Sequence, residues 1–244
     1  MPGRILEVPR SISLAADVEP EKFEGLVEQL HGVEGLTTVK IGFEVGLGLG
    51  LRTAVKIVHE AGLKAVYDHQ KAANDIPATG MNFARAMERA QVDAAILFPY
   101  TGPVTQEAWT NRLQEAGVGV ISGGEMTHDE ITASEDGLTA GYVHPRAFAR
   151  MYARAAELGV RDFVVPGNKP AKVSGYRSQL EQLLGVGNFT LWAPGFVTQG
   201  GDISETGRAA GPSFNAIVGS GIYGTEVPRE AAIALGQAVL GEAA

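Results

Sequence analysis

Residues 65–90 read AVYDHQKAANDIPATGMNFARAMERA, and the order of residue types in this stretch decides the fold class. The apolar run Ala65-Val66-Tyr67 passes directly into a charged segment carrying Asp68, Lys71 and Asp75. Behind it Phe83, Met87 and Ala90 recur at helical spacing, which gives a helix one apolar face. Strand, charged turn and helix together make one βα unit. Working outward, seven more apolar or β-branched runs occur at 12–16, 38–41, 94–98, 118–121, 163–165, 190–193 and 216–218. Helical periodicity follows the first at Phe23, Leu26, Val27 and Leu30, and the second at Leu51, Val55 and Val58. After the eighth it returns at Ala231, Leu235 and Val239, opened by Pro228, a residue suited to a first helical turn. Most strand starts lie roughly 25 to 30 residues apart, the length of a βα unit, and no linker interrupts them. The expected fold is α/β: a single (β/α)8 TIM barrel over residues 1–244, with a doubly wound open sheet as the alternative. The stretch 126–163 is longer than the others and contains Gly137, Gly141 and Pro145 before a helical run at 147–158, so the fifth loop is expected to be enlarged.

Composition narrows the function classes. Of 244 residues, 45% are hydrophobic and 20% charged, ordinary globular usage that can bury a core. The absence of Cys removes disulfides, thiolate metal sites and thiol nucleophiles, and is compatible with a reducing cytoplasm. Apolar runs stop well short of the roughly 20 residues that span a bilayer, and the N-terminus lacks a signal-peptide apolar core. A cytoplasmic, non-membrane protein is expected. A formal charge of −8 repels a phosphate backbone, so nucleic acid is not an expected partner, and an anionic small molecule would need locally placed Lys or Arg. The five His show no i, i+4 pair, which argues against a metal site.

In a barrel of this kind the active site is built by the segments after the strands. Those segments carry Asp17, Lys40 with Gly42, the cluster Asp68, Lys71 and Asp75 through Thr79, then Glu125-Met126-Thr127, Asn168-Lys169, Gln199-Gly200-Gly201-Asp202 and Gly219-Ser220-Gly221. A charge run is usually a solvated loop. This one sits at a strand end with a helix behind it, where charge does chemistry. With Lys40 added, the carboxylates keep the ammonium groups protonated, at roughly 4 kcal/mol per contact at 4 Å and an effective dielectric of 20. Such an array holds a proton donor ready and sets negative charge where a substrate carboxylate would be crowded.

These segments, in this order, resemble the orotidine 5′-monophosphate decarboxylase family over nearly the whole chain. Lys40-Ile41-Gly42 is similar to that family's second-strand Lys-Ile-Gly, and Asp75-Ile-Pro-Ala-Thr79 to its Asp-Ile-Pro-x-Thr. Glu125-Met-Thr-His128 resembles its Glu-Met-Ser-His, Gln199-Gly-Gly-Asp202 its Gln-Gly-Gly-Asp, and Ile222-Tyr223 its Ile-Tyr. The resemblance implies cofactor-free decarboxylation of orotidine 5′-monophosphate in pyrimidine biosynthesis. In it Lys71 delivers the proton, Asp68 lies beside the departing carboxylate and Lys40 holds the array. It further implies that Asp17 meets the ribose and Thr127 the base, while Gln199 and glycine amides, Gly200 and Gly219 among them, meet the phosphate. Asp75 and Thr79 would reach across the interface of a homodimer.

Two departures stand out. The family's Asp-x-Lys-x-x-Asp is here Asp68-His-Gln-Lys71-Ala-Ala-Asn-Asp75, one residue longer in each gap. Side chains at i and i+3 of a strand face opposite ways, so the strand is predicted to bulge or end between Asp68 and Lys71. Ser220 stands where the family has a phosphate-gripping Arg, which leaves the glycine amides and Lys169 as candidate anchors. Plainer readings exist beside these: Asp17, Thr79 and Thr127 as helix caps, Ser220 as a small residue allowing close approach, His69 as structural. Two other functions stay open, a magnesium-dependent sugar-phosphate decarboxylase or aldolase using Glu44 with Asp68, and a non-catalytic phospho-ligand binding barrel.

Overall fold

In a computed structural model, which describes residues 4–69, 72–197 and 199–241, eight short strands pair in parallel and in sequence order. They are β1 Arg10–Ala16, β2 Leu36–Ile41, β3 Lys64–Tyr67, β4 Ala94–Leu97, β5 Gly119–Gly123, β6 Asp162–Val164, β7 Thr190–Ala193 and β8 Phe214–Val218. The ladder from Arg10↔Phe214 to Leu14↔Val218 joins β1 to β8 and closes the barrel, so the open-sheet alternative falls. Eight principal helices follow the strands: α1 Pro20–Gln29, α2 Leu51–Glu60, α3 Gly80–Ala90, α4 Pro103–Glu115, α5 Ala147–Glu157, α6 Pro170–Leu184, α7 Ile203–Ala210 and α8 Pro228–Gly241.

Alternation along the strands sorts residues between two apolar compartments. Ile12, Leu14, Val39, Ile41, Ala65 and Tyr67 face the helices, where Phe23, Val27, Val55, Val58 and Met87 cover them. Ala15, Val66, Ile96, Ile121, Val164, Trp192 and Ile217 fill the barrel interior. Below them lies a polar layer in which Ser13 bonds Thr38 and donates to Asn215 Oδ1 at 2.7 Å, and Asn215 donates to Ser11 Oγ at 2.8 Å. The floor is closed by the N-terminal segment: Ile5 N and Trp192 Nε1 both donate to the buried carboxylate of Asp162, at 3.1 and 2.9 Å.

One local expectation shifts and another holds. On α8 the buried face is Ala232, Gly236 and Val239, while Ala231 and Leu235 are only partly covered. A Cβ at Gly236 would come within 2.7 Å of the Glu34 carbonyl, so this glycine lets the helix approach the loop before β2 and turns its face by one residue. The enlarged fifth connection is present. Between Gly123 and Ala147 the chain makes an excursion pinned by bridges Thr132↔Val143 and Ala133↔Ala140, with Leu138 and Tyr142 exposed on it.

Candidate active site

The inward residues of the upper barrel are Ala15, Val66, Ile96 and Ile217, and the residue two places beyond each in the chain keeps its inward direction while clearing the last rung of the sheet. This parity puts Asp17, Asp68, Phe98 and Gly219 around the mouth, together with Lys40 from β2 and Glu125, two beyond Gly123. They line a cavity of about 440 Å³ whose floor is Ala15, Ile96, Val164 and Ile217.

Lys40 is the electrostatic centre. It is 7% exposed, and its Nζ lies 3.3 Å from Asp17 Oδ1 and 3.2 Å from Asp68 Oδ2. Burial opposes its charge, but Asp68 and then Asp17 outweigh that penalty and hold the ammonium above its ordinary pKa. Asp17 is thus an ion-pair partner of Lys40 and not a cap; α1 has Glu19 at its N-cap without a side-chain bond. Gly42 belongs to the same arrangement, because a Cβ there would sit 2.7 Å from Asp17 Oδ1.

Strand β3 ends at Tyr67, and Asp68 N makes the last ladder bond, to Ile41 O at 2.9 Å. The strand therefore stops at Asp68, in accord with the spacing argument. Lys71 lies outside the described residues. The longer gap before Asp75 is taken up by a turn with buried Ala73 at φ 68°, the left-handed region. The segment after β4 holds this turn bond by bond. Phe98 N donates to Ala72 O at 3.0 Å, Thr101 Oγ1 to Ala73 O at 2.8 Å, Tyr100 N to Asn74 Oδ1 at 3.1 Å and Thr105 Oγ1 to Asp75 O at 3.0 Å. Trp109 Nε1 completes the series on Ile76 O at 3.2 Å.

Asp75 and Thr79 do not join this chain's own cavity. Asp75 is exposed and accepts from Ile76 N at 2.7 Å, while the Thr79 hydroxyl donates to Ile76 O at 2.7 Å and caps nothing. His69 turns outward: its Nδ1 is 2.9 Å from the Tyr67 hydroxyl and its ring lies against Tyr67 and Phe83. Glu44, needed by the magnesium alternative, is exposed and outside the cavity lining. Among the described residues no three His, Asp or Glu side chains are grouped to hold a metal ion.

Met126, Thr127 and His128 line the cavity from the β5 side. The expected anchor Lys169 points elsewhere. Its Nζ donates to Met126 O at 3.0 Å and His128 O at 3.2 Å and pairs with Glu125 Oε1 at 3.4 Å. Glu125 is buried, and the Tyr176 hydroxyl from α6 bonds its other oxygen, with the phenol pKa raised by burial and then by Glu125 itself. Asn168 Nδ2 donates to Thr127 O at 3.0 Å, so two side chains from the segment between β6 and α6 and one from α6 fasten the β5 segment. Sequence reasoning assigned no role to Phe98, Glu125 or Tyr176. Parity two beyond Ile96 points to Phe98; nothing near Tyr176 in the sequence signals its bond to Glu125, fifty-one positions away.

From the β7 and β8 side come Gly195, Phe196, Gln199, Gly219, Ser220 and Tyr223. Gly200 does not line the cavity, and its N–H donates to Val197 O at 3.2 Å; Gly201 N donates to Gly195 O at 3.1 Å. These two amides close the loop on itself, which corrects the expectation that they cradle a ligand.

A closed parallel barrel whose strand ends converge on a buried lysine between two aspartates defines a (β/α)8 protein with an acid–lysine site at its C-terminal mouth. The chain belongs to the orotidine 5′-phosphate decarboxylase / HUMPS family, whose model matches residues 10–235. It is 31% identical over 229 residues to the orotidine 5′-phosphate decarboxylase of Methanosarcina barkeri, covering 93% of each chain. Its fold matches the orotidine 5′-monophosphate decarboxylase of Methanocaldococcus jannaschii, solved with the inhibitor BMP, with a TM-score of 0.79 at 22% identity, covering 94% of this chain and 98% of that one. The enzyme of Pyrococcus horikoshii gives a TM-score of 0.75 at 25% identity over 94% of this chain and 99% of that one.

Proposed function

We propose that the chain decarboxylates orotidine 5′-monophosphate to uridine 5′-monophosphate, in pyrimidine biosynthesis and without a cofactor. The observation that carries this reading is the buried Lys40 ammonium bracketed by Asp17 and Asp68 at adjacent strand ends. A substrate carboxylate brought beside Asp68 is crowded by like charge, and that repulsion disappears as the C–CO2 bond breaks. The electron pair left on the ring carbon takes a proton from the Lys71 ammonium, forming the new C–H bond. Fixed charges already in place stabilise that change without reorganisation. Lys40 holds Asp68 in position, Asp17 meets the ribose and Thr127 the base.

Asp75 and Thr79 serve the site of a second copy of the chain. Supporting this is their place outside the chain's own cavity, beside exposed Ile76, with further exposed apolar residues at Phe43 and Leu47 in the helical turns after β2 and at Val104 in the first turn of α4. The protein acts in the cytoplasm; no helix among the described residues is long and apolar enough to cross a membrane. The test is release of CO2 from orotidine 5′-monophosphate by the purified protein with and without a chelator. Chelator-insensitive release is expected. Metal-dependent release or none defeats the reading.

A further inference from the structure

We propose that Tyr100 is a positioning residue of the active site: its phenol, bonded to the main chain at Gly124, sets the place of the segment that carries Thr127 to the pyrimidine. The proposal rests on the decarboxylase reading for the contact of Thr127 with the base, and on packing for the rest. The segment after β5 begins with two glycines, Gly123 and Gly124, and neither has a positive φ. What they supply is room. A Cβ at Gly123 would lie 2.3 Å from the Phe98 ring, and one at Gly124 would lie 2.7 Å from Cζ of Tyr152. Two glycines in succession also leave the main chain without side chains of its own to fix it.

Three aromatic residues fix it instead. Phe98 and Tyr100, both from the end of β4, stack with their ring centroids 6.0 Å apart; Phe98 closes on Gly123, and the Tyr100 hydroxyl donates to Gly124 O at 2.6 Å. From α5, buried Tyr152 accepts from Glu125 N at 3.2 Å and donates to Val164 O at 2.7 Å. The main chain of Tyr100 is itself held, because its N–H is shared between Asn74 Oδ1 at 3.1 Å and Phe98 O at 2.9 Å. Its phenol is therefore a strut from the turn before Asp75 to the start of the β5 segment. Burial, and then Glu125, raise the Tyr100 pKa, so the donor keeps its proton at neutral pH. Lys169 and Asn168 hold the carbonyls of Met126, Thr127 and His128 from the β6 side, whereas Tyr100 holds the end nearest the strand from the β4 side. A base contact displaced by a fraction of an ångström misaligns the reacting carbon with Asp68.

Tyr100→Phe keeps the stack and removes only the strut, and a cycle with Thr127→Ala tests through which residue it acts. Two readouts are taken on the intact protein: calorimetric binding of uridine 5′-monophosphate, which needs no turnover, and kcat/KM for CO2 release. Tyr100→Phe is expected to lower both by roughly 3- to 10-fold, the range of one neutral hydrogen bond. In the Thr127→Ala background the same change should cost less than twofold, because the contact it positions is already gone. An equal loss in both backgrounds, or no loss in either, overturns the positioning role while CO2 release by the parent leaves decarboxylation standing. A coupled loss of binding in a protein that releases no CO2 from orotidine 5′-monophosphate supports the strut and defeats the reaction. A parent protein that binds no uridine 5′-monophosphate overturns both.

Discussion

The ammonium nitrogen of Lys169 donates to the main-chain carbonyl of Met126 at 3.0 Å, tying the start of α6 to the segment after β5. Lys169 is thereby a positioning residue for Thr127. Charge-assisted bonds contribute about 1.5 to 3 kcal/mol each, so Lys169→Met is expected to lower kcat/KM by roughly 10- to 150-fold. Because the loss comes from a misplaced loop, nucleoside and nucleotide substrates should suffer alike, and Lys169→Arg should recover part of it. A loss confined to the nucleotide would instead place Lys169 on the phosphate.

Lys40 is the position least tolerant of change. Lys40→Met should abolish turnover and lower stability by up to about 3 kcal/mol, because it leaves the largely buried Asp68 without that ammonium. Adding Asp68→Asn should restore stability but not activity, as read by urea denaturation and CO2 release. Since the Lys40 pKa is raised, its contribution to stability is complete below the lysine range of the unfolded chain and is lost only as pH climbs through the higher folded value. No Lys40 titration is expected between pH 6 and 9.

Asp162 gives the opposite kind of pH dependence for a carboxylate. Burial raises its pKa to about 6, against lowering by the bonds from Trp192 and Ile5. The folded chain therefore holds the proton more tightly than the unfolded one. Its contribution is complete below the unfolded value near 3.8 and disappears as pH rises through about 6. A shift of about two units corresponds to about 3 kcal/mol. Asp162→Asn should remove that component, so the stability difference between wild type and variant should change between pH 4 and 7. A constant difference across that window would refute the assignment.

The interface reading makes its own demand. Asp75→Asn and Lys71→Ala homodimers should both be inactive, and a mixed population should regain partial activity, because each hybrid dimer then owns one intact site. Failure to recover activity in verified hybrids would place both residues in one chain's site.

Thr101 braces the lengthened turn through its bond to Ala73 O. Thr101→Val keeps the shape and removes the donor, so kcat should fall several-fold with little change in global stability, and Thr101→Ser should restore it. Equal kinetics for Thr101→Val would show that the remaining bonds hold the turn unaided.

Periodicity made the eight βα units and the enlarged fifth connection readable, since alternation at two and recurrence near 3.6 are properties of local chain geometry and need no partner. Asp17, Lys40 and Asp68 were legible for a related reason: each extends the inward parity of its strand at the strand's C-terminal end, where the inward direction opens onto the mouth. Closure of the barrel was a different matter, settled by pairing of β1 with β8, two segments at opposite ends of the chain. The roles of Lys169, Gly200 and Gly201 also fell to tertiary structure. A lysine stem reaches several acceptors, and which it takes depends on carbonyls forty-odd positions away; a glycine amide serves a ligand only if its own loop leaves it unspent. Sequence sets which groups exist and which face of their element they occupy, whereas competition among nearby acceptors, decided only once distant segments pack, sets what each group does.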